Sequence, residues 1–271
     1  MAIDVVDLNH FYASSLGQVA RRVIRRKVRS LWGDVTGLNV LALGYATPFV
    51  RPFRDEAQRT VALMPAQQGV LRWPDDGPAL AALIDETALP LKDSSFERIL
   101  VVHGIEHAEN VRQLMRELWR VLTPEGRLLI VVPGRRSYWA ASERTPFGQG
   151  QPYSRGQITR LVQDCMFVPA RPQGALYVPP LPWRFFLRSA MGWERVGATL
   201  FPATSGAILI EATKRVYAAI PTGRKKRVLV PAQAVPMAAA GSAACREPET
   251  ELASRLIDPT PRTIMSDIQQ S

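Results

Sequence analysis

The sequence contains little cysteine and little histidine. Among its 271 residues there are two cysteines and three histidines. Cys165 and Cys245 are far apart in sequence, so they cannot build a disulfide framework or a metal-ligand cluster. We therefore expect no metal site, and a reducing, cytoplasmic location.

Long apolar runs are also missing. No uncharged stretch reaches the roughly 18 residues that a membrane-spanning helix needs. The first nine residues contain Asp4 and Asp7 and lack the basic, apolar and small-residue pattern of a secretory signal. The sequence therefore predicts neither a transmembrane segment nor a signal peptide.

Positive charge, in contrast, is abundant, with a formal net charge of +10. Much of it lies in one predicted helix and in a second cluster near the C-terminus: Arg21, Arg22, Arg25, Arg26, Lys27 and Arg29, and then Arg224 to Arg227. These residues form either a solvated face or a patch for phosphates, acidic lipids or an acidic protein, so peripheral membrane contact and a protein partner both remain open. Aromatic residues do not alternate with the basic ones, which argues against specific nucleic-acid binding.

Hydrophobic periodicity predicts an α/β fold. A partial apolar stripe indicates a helix over residues 10–32, and a stronger one indicates a helix over 111–122. Apolar runs predict strands at 39–43, 60–64, 97–103, 127–132 and 206–212, with a helix at 154–163 and a short strand at 167–168. Apolar strands that alternate with helices indicate a parallel sheet covered on both faces.

The first predicted strand ends in a glycine turn, from Asn39 to Pro48, whose glycine is Gly44. An apolar strand, a glycine and then a helix are typical of a nucleotide-binding βα unit. Ala46 and Pro48 stand where such turns usually carry further glycines. Because proline lacks an N–H and fixes φ, we expect Pro48 to reshape the loop.

Three further segments carry a resemblance to a known family. They are Asp85-Glu-Thr-Ala-Leu-Pro-Leu-Lys-Asp-Ser-Ser-Phe-Glu97, Ile105-Glu106-His107, and Glu117-Leu-Trp-Arg-Val-Leu-Thr-Pro-Glu-Gly126. In this order they resemble the class I S-adenosylmethionine-dependent methyltransferases of type 11, over roughly residues 36–215.

The resemblance implies a Rossmann-like, seven-stranded, mostly parallel sheet with helices on both faces and an antiparallel last strand at 206–212. It also implies a domain organisation. Residues 1–35 are expected to form an N-terminal basic helical extension, 36–220 the methyltransferase-like domain, 175–202 an aromatic lid or insertion, and 221–271 a disordered tail. In the lid, Trp183, Phe185 and Phe186 are expected to line an apolar substrate pocket, to cover a partner or membrane surface, or to pack in the core.

The resemblance further implies the residues that bind the cofactor, S-adenosyl-L-methionine: Gly44, Tyr45, Ala46, Met64, Asp85, Glu86 and His103. The family commonly places an acid at the position of Ala42, which helps to orient the cofactor's amino group. It places another at the end of the second strand, which accepts the ribose hydroxyls. Here that strand ends Met64-Pro65-Ala66-Gln67, with Gln67 or Gln68 as a partial substitute. Losing a charge-assisted pair costs about 1.5–3 kcal/mol, so we expect the cofactor to bind weakly or to have been lost.

No catalytic residue is evident. His103 and His107 are weak candidates for a general base, although the Glu106-His107 pair also recurs in the family as a feature of the fold. Tyr12 is expected to fold over the cofactor site from the N-terminal helix. The leading hypothesis is a methyltransferase that acts on a small-molecule or lipid-like acceptor. The alternative is a catalytically inactive methyltransferase-like scaffold or regulatory partner.

Overall fold

The structure is a computed structural model, and it describes residues 3–181 and 183–215. The predicted tail at 221–271, the basic cluster at Arg224 to Arg227, Cys245 and the side chain of Phe185 lie outside the described part. The helices are α1 (Val5–Ala13), α2 (Ser15–Trp32), α3 (Thr47–Val50), α4 (Val111–Val121), α5 (Arg155–Asp164), α6 (Arg184–Arg188) and α7 (Ala190–Leu200). The strands are β1 (Asn39–Gly44), β2 (Arg59–Pro65), β3 (Ala81–Ile84), β4 (Phe96–Val102), β5 (Leu122–Pro133), β6 (Phe167–Pro169), β7 (Gln173–Ala175) and β8 (Ala207–Lys214).

The strands form one sheet in the order β3-β2-β1-β4-β5-β8-β6, with β7 also paired to β8. From β3 to β5 all neighbours are parallel, whereas β8 runs antiparallel to β5, with Ile130 opposite Ile210. The predicted Rossmann-like methyltransferase fold is therefore confirmed, including its antiparallel last strand, although the sheet has eight strands rather than the expected seven. The order of the strands reverses between β1 and β4, which makes this place a topological switch point. In open α/β sheets ligands bind at the carboxyl ends of the strands beside such a point.

Each face of the sheet carries its own apolar core. Along β1 the side chains alternate, so Val40 and Ala42 pack in the core that includes α1 and α2. Leu41 and Leu43 point to the other face, into the core that includes α4 and α5. All four side chains are fully buried, as expected for a parallel strand covered on both sides.

The sequence analysis missed two strands, the three-residue β7 and the edge strand β3. The four residues of β3, Ala81-Ala-Leu-Ile84, follow a loop and have modest strand propensity, and most of them are exposed or half-buried. The strand lies at the edge of the sheet and pairs only with β2. Its pairing depends on register with β2, which local sequence does not encode.

The prediction of a single helix over residues 10–32 was wrong. Two helices, α1 and α2, meet at Ser14, whose backbone is extended and whose hydroxyl accepts a hydrogen bond from the N–H of Gly17. A Cβ at Gly17 would lie 1.9 Å from the carbonyl oxygen of Phe11, so glycine permits this corner. The first helix begins at Val5, capped by the carboxylate of Asp4.

Arg120 fastens α4 to the segment that precedes β4. Its guanidinium donates to the carbonyl oxygens of Leu89 and Leu91, at 2.9 and 2.8 Å, and to the carboxylates of Glu117 and Asp93. Glu117 in turn accepts from the backbone N–H of Leu89. The segments that carried the family resemblance therefore hold one another in place.

Gly44 is required where β1 leaves the sheet. Its φ is +72°, and a Cβ there would lie 2.4 Å from the carbonyl oxygen of Val102 on β4. Any other residue would be strained in φ and would push the two central strands apart. The glycine is therefore needed by the fold itself, with or without a ligand.

We expect Gly44→Ala to lower the free energy of unfolding by about 2 kcal/mol or more, because strain in φ adds to a backbone clash. The matched control is Gly37→Ala. Gly37 has a similar φ of +74° but nothing within 4 Å of the added Cβ, so only the strain, roughly 1 kcal/mol, should appear. Urea unfolding measures the free energy of unfolding of both variants. An equal decrease in the two would contradict the role assigned to the contact between Gly44 and β4.

Candidate functional site

The residues predicted to bind a cofactor all lie at the carboxyl ends of parallel strands. Gly44, Tyr45 and Ala46 end and follow β1, Met64 lies near the end of β2, and Asp85 and Glu86 follow β3. His103 follows β4, with a positive φ of 52°. The topology thus brings the predicted set to one edge of the sheet, but the set does not surround one open space.

Helix α1 covers the part of the edge between β1 and β4. The hydroxyl of Tyr12 lies 2.7 Å from Nε2 of His103, and Nδ1 of His103 lies 3.0 Å from Oε1 of Glu106. Since a carboxylate only accepts, Nδ1–H donates to Glu106 and Nε2 accepts from the Tyr12 hydroxyl. Burial raises the pKa of Tyr12 well above its ordinary value, so the hydroxyl keeps its proton and remains the donor.

Gln68 closes the same region from the loop after β2. It is 3% exposed, and its side-chain amide donates to the carbonyl oxygen of His103. The backbone carbonyl oxygen of Gln68 accepts from the N–H of Val5, at 2.8 Å. Gln68 is one of the two residues considered above as a substitute for the ribose acid. Here it is turned inward and joins α1 to the end of β4.

Aromatic packing completes the closure. The ring of Tyr12 stacks on Tyr45 with centroids 5.5 Å apart and meets Phe49 edge-on. Phe147 lies edge-on to His103, at 5.1 Å. The expectation that Tyr12 folds over this region agrees with its position, since Tyr12 is itself 2% exposed.

Between β2 and β3 the edge is open. A cavity of about 300 Å³ is lined by the residues that follow these two strands, among them Gln67, Asp85, Glu86 and Glu109. One oxygen of Asp85 accepts from both the N–H and the hydroxyl of Thr87, which lowers the pKa of Asp85. Glu86 accepts from the N–H of Glu109, and burial raises the pKa of Glu86.

In this conformation the predicted residues do not form one cradle for the family's cofactor. Asp85 and Glu86 line an open cavity, but Ala46 and His103 are at most 1% exposed beneath α1. Tyr12 and Gln68 close the region around His103, so a ligand that contacts His103 would have to displace them.

Two departures from the family's glycine loop prove harmless. Pro48 lies in the first turn of α3, where a missing N–H leaves no hydrogen bond unmade. Ala46 precedes that helix with φ of −92°, a conformation that needs no glycine. The expected reshaping of the loop by Pro48 therefore amounts to starting a short helix.

His107 has a different environment from His103. Both of its ring nitrogens are buried without a hydrogen-bond partner, as is Oε2 of Glu106. Burial lowers the pKa of His107. The atoms of His103, Glu106 and His107 that could bind a metal ion lie within 4.8 Å of one another. Both nitrogens of His103, however, are already hydrogen-bonded, to Tyr12 and to Glu106.

An apolar cleft lies beside α1, with a volume of about 1510 Å³. Its lining includes Phe11, Leu16, Tyr138, Leu181 and Trp193. Of the aromatic residues expected in a lid, Trp193 reaches this cleft. Trp183 is 64% exposed and stacks on Phe186.

Residues 49–130 match the type 11 family model that is described as a methyltransferase domain. No curated protein matches the chain significantly in sequence. Among the described residues, no helix is both long enough and apolar enough to span a membrane.

Solved structures share the fold at low identity. A SAM-dependent methyltransferase from Thermotoga maritima aligns with TM-score 0.54 and 16% identity, over 78% of this chain and 96% of that one. A Haloferax volcanii protein in complex with the Trm112 methyltransferase activator aligns with TM-score 0.53 and 17% identity, over 71% of this chain and 88% of that one. The [4+2]-cyclase SpnF aligns with TM-score 0.53 and 18% identity, over 74% of this chain and 83% of that one. Because SpnF is named for a cyclisation, this likeness establishes the fold alone.

We expect Tyr12→Phe to lower the free energy of unfolding by about 1–3 kcal/mol, because Nε2 of His103 would remain buried without a partner. Tyr45→Phe is the control. Its hydroxyl bonds to Asn9 at 3.1 Å in a partly buried position, so the loss should be smaller, about 0.5–1.5 kcal/mol. Chemical denaturation distinguishes the two, and a Tyr12 variant as stable as wild type would contradict the closure described above.

The buried His107 should make stability depend on pH. Its pKa in the folded state is below the ordinary 6.5, so the unfolded chain binds the proton more readily. Its contribution to stability is complete above pH 6.5 and falls as the pH drops from there towards the lowered pKa. Compared with wild type, His107→Gln should lose less stability between pH 7 and pH 5.5 in thermal melts. If stability changes with pH in the same way in the variant and in wild type, His107 does not titrate in this way.

Proposed function

We propose that the chain is a class I S-adenosylmethionine-dependent methyltransferase that transfers a methyl group to a small-molecule or lipid-like acceptor. The observation that carries this proposal is the position of Gly44, Asp85 and His103 at the carboxyl ends of parallel strands, with Asp85 and His103 inside the residues that match the methyltransferase domain. The family's cofactor supplies an electrophilic methyl group on a sulfonium, so aligning the acceptor is the chief task of the protein.

The open cavity between β2 and β3 supports one end of the cofactor site. Asp85 already holds Thr87 with one carboxylate oxygen, and its other oxygen is available to accept from an adenine amino group, as the resemblance implies. Glu86 is buried beside it. The cofactor would extend from here towards Gly44, Tyr45, Ala46 and Met64, once the region beneath α1 opens.

Opening requires α1 to move as a unit. Tyr12, the N–H of Val5 and the side chain of Gln68 make the contacts that close the region. A ligand that binds only the open state has its apparent affinity reduced by the fraction of molecules that are open. The missing ribose acid and the closed helix both act to weaken binding, in agreement with the weak cofactor affinity expected from the sequence.

The apolar cleft beside α1 supports an apolar acceptor. Phe11, Leu16 and Trp193 contribute carbon surface, which suits a hydrophobic small molecule or a lipid-like chain. His103 is a poor general base while its Nε2 accepts from Tyr12. His107 has two unpartnered nitrogens and a lowered pKa, so of the two histidines it is the better candidate.

A second candidate function is that of a methyltransferase-like partner protein without catalysis. It is favoured by one observation: Gln68, one of the two residues considered as a substitute for the ribose acid, is buried and donates to the carbonyl oxygen of His103. The Haloferax volcanii neighbour is in complex with an activator protein, so a protein of this fold can carry a protein partner. For this chain a protein partner, like the cytoplasmic location, is a proposal.

The test is calorimetric titration of the full chain with S-adenosylhomocysteine. We expect measurable binding, weakened roughly tenfold by Asp85→Asn, because a charge-assisted hydrogen bond is lost. Asp164→Asn is the matched control, since Asp164 is an exposed acid on α5 that pairs with Arg112. Hydrogen exchange should show that amides of α1 exchange faster when the ligand is bound.

The outcomes separate the two functions. Absence of heat and of any thermal shift at saturating ligand would overturn the methyltransferase proposal and leave the partner protein. Binding without faster exchange in α1 would show that the cofactor enters by another route.

A further inference from the structure

A second cleft lies next to the cofactor loop, and its wall includes Tyr45 and Met64, towards which the cofactor is proposed to extend. Its volume is about 760 Å³. Helix α1 contributes Asn9, Tyr12 and Ala13 to its wall, and the start of α3 contributes Thr47 and Pro48. The apolar cleft is lined by a different set of α1 residues, including Asp7 and Phe11, so the two clefts are distinct.

Five arginines from three separate parts of the chain converge on this cleft: Arg21, Arg25, Arg51, Arg54 and Arg72. Arg21 and Arg25 are one turn apart on α2 and therefore share a face. Arg51 and Arg54 follow α3, and Arg72 comes from the loop between β2 and β3. Arginines that are distant in sequence and meet around one concavity indicate a site rather than a solvated helix face.

The carboxylates in the cleft do not neutralise these arginines. Three acids also line it: Asp55, Asp75 and Asp76. Arg54 lies 3.4 Å from Asp76 and 3.6 Å from Asp55, and Arg72 donates to the carbonyl oxygen of Gly77. Within the described residues, the side chains of Arg21, Arg25 and Arg51 make no hydrogen bond and no ion pair.

The arginines without a carboxylate partner destabilise the folded protein. Like charges one turn apart on a helix repel each other, and the next arginine along this face, Arg29, is paired with Glu56 at 2.7 Å. Within the described residues Arg21 and Arg25 have no such partner, so the repulsion between them is left uncompensated. An anion bound there would remove it.

We propose that this arginine-lined cleft binds a ligand through a phosphate group, either a phosphate monoester or a diphosphate. A guanidinium presents its N–H groups in a planar fork that matches phosphate oxygens, and it stays charged at any physiological pH. The two or more negative charges of such a group balance Arg21, Arg25 and Arg51. The edges of Tyr45, Met64 and Trp73 at the wall offer apolar contact to the carbon part of the ligand.

The test is calorimetric titration of the full chain with inorganic pyrophosphate at low ionic strength, where charge–charge attraction is least screened. The double variant Arg21→Gln/Arg25→Gln should weaken binding at least about tenfold. Arg22→Gln/Arg26→Gln is the matched control. It removes the same charge from the same helix, and its two residues line an outer groove but not this cleft, so its affinity should stay within about threefold of wild type.

A second arm distinguishes the sources of the phosphate. Co-sedimentation with vesicles of phosphatidic acid and phosphatidylcholine, competed by pyrophosphate, would identify a lipid headgroup as the ligand. Pyrophosphate binding without co-sedimentation would identify a soluble phosphate compound. Either result supports the site.

Failure to bind both probes would overturn the proposal, and so would equal losses in the two double variants, because that result indicates diffuse charge rather than a built site. Neither double variant touches Asp85 or Gly44. Titration of each with S-adenosylhomocysteine should match wild type, so this proposal and the methyltransferase proposal fail independently.

Discussion

The buried hydrogen-bonded chain from Tyr12 through His103 to Glu106 determines the state of the whole site. Each of the three side chains is at most 5% exposed, so each polar atom in the chain depends on its neighbour rather than on water. Replacing Tyr12 leaves Nε2 of His103 without a partner. Turning the His103 ring leaves both the Tyr12 hydroxyl and Oε1 of Glu106 without one. This dependence fixes α1 on the end of β4, and the positions of Gln68 and Tyr45 follow from it.

Fixing α1 in this way separates functions that the family combines at one edge. Beneath the helix, Gly44 and His103 are sealed by aromatic rings and an amide, while Asp85 and Glu86 still face a cavity. On its outer surfaces the same helix contributes to an apolar cleft and to an arginine-lined one. Any ligand that reaches Gly44 must match the free energy of the contacts that it displaces, so the helix sets a threshold for binding.

Sequence reasoning reached the parts of the fold that local pattern encodes. Strands β1, β4 and β5 are dense in β-branched and apolar residues, and α4 has strong periodicity ending near Pro124. What sequence missed depends on long-range contacts. Strand β3 exists through its register with β2, and the inward turn of Gln68 depends on α1, which is some 60 residues earlier in the chain.

The departures from the family's sequence pattern are not equivalent once each is placed in the structure. Ala46 and Pro48 start a short helix and cause no loss of hydrogen bonding, so the glycine loop is less altered than its letters suggest. The missing acid after β2 is the consequential change, because the region it would serve is filled by Gln68. A carboxylate at that position could not donate to the carbonyl oxygen of His103 as the amide does. The backbone carbonyl of Gln68 also accepts from the N–H of Val5 at the start of α1, so the residue that fills this region also holds the helix that closes it.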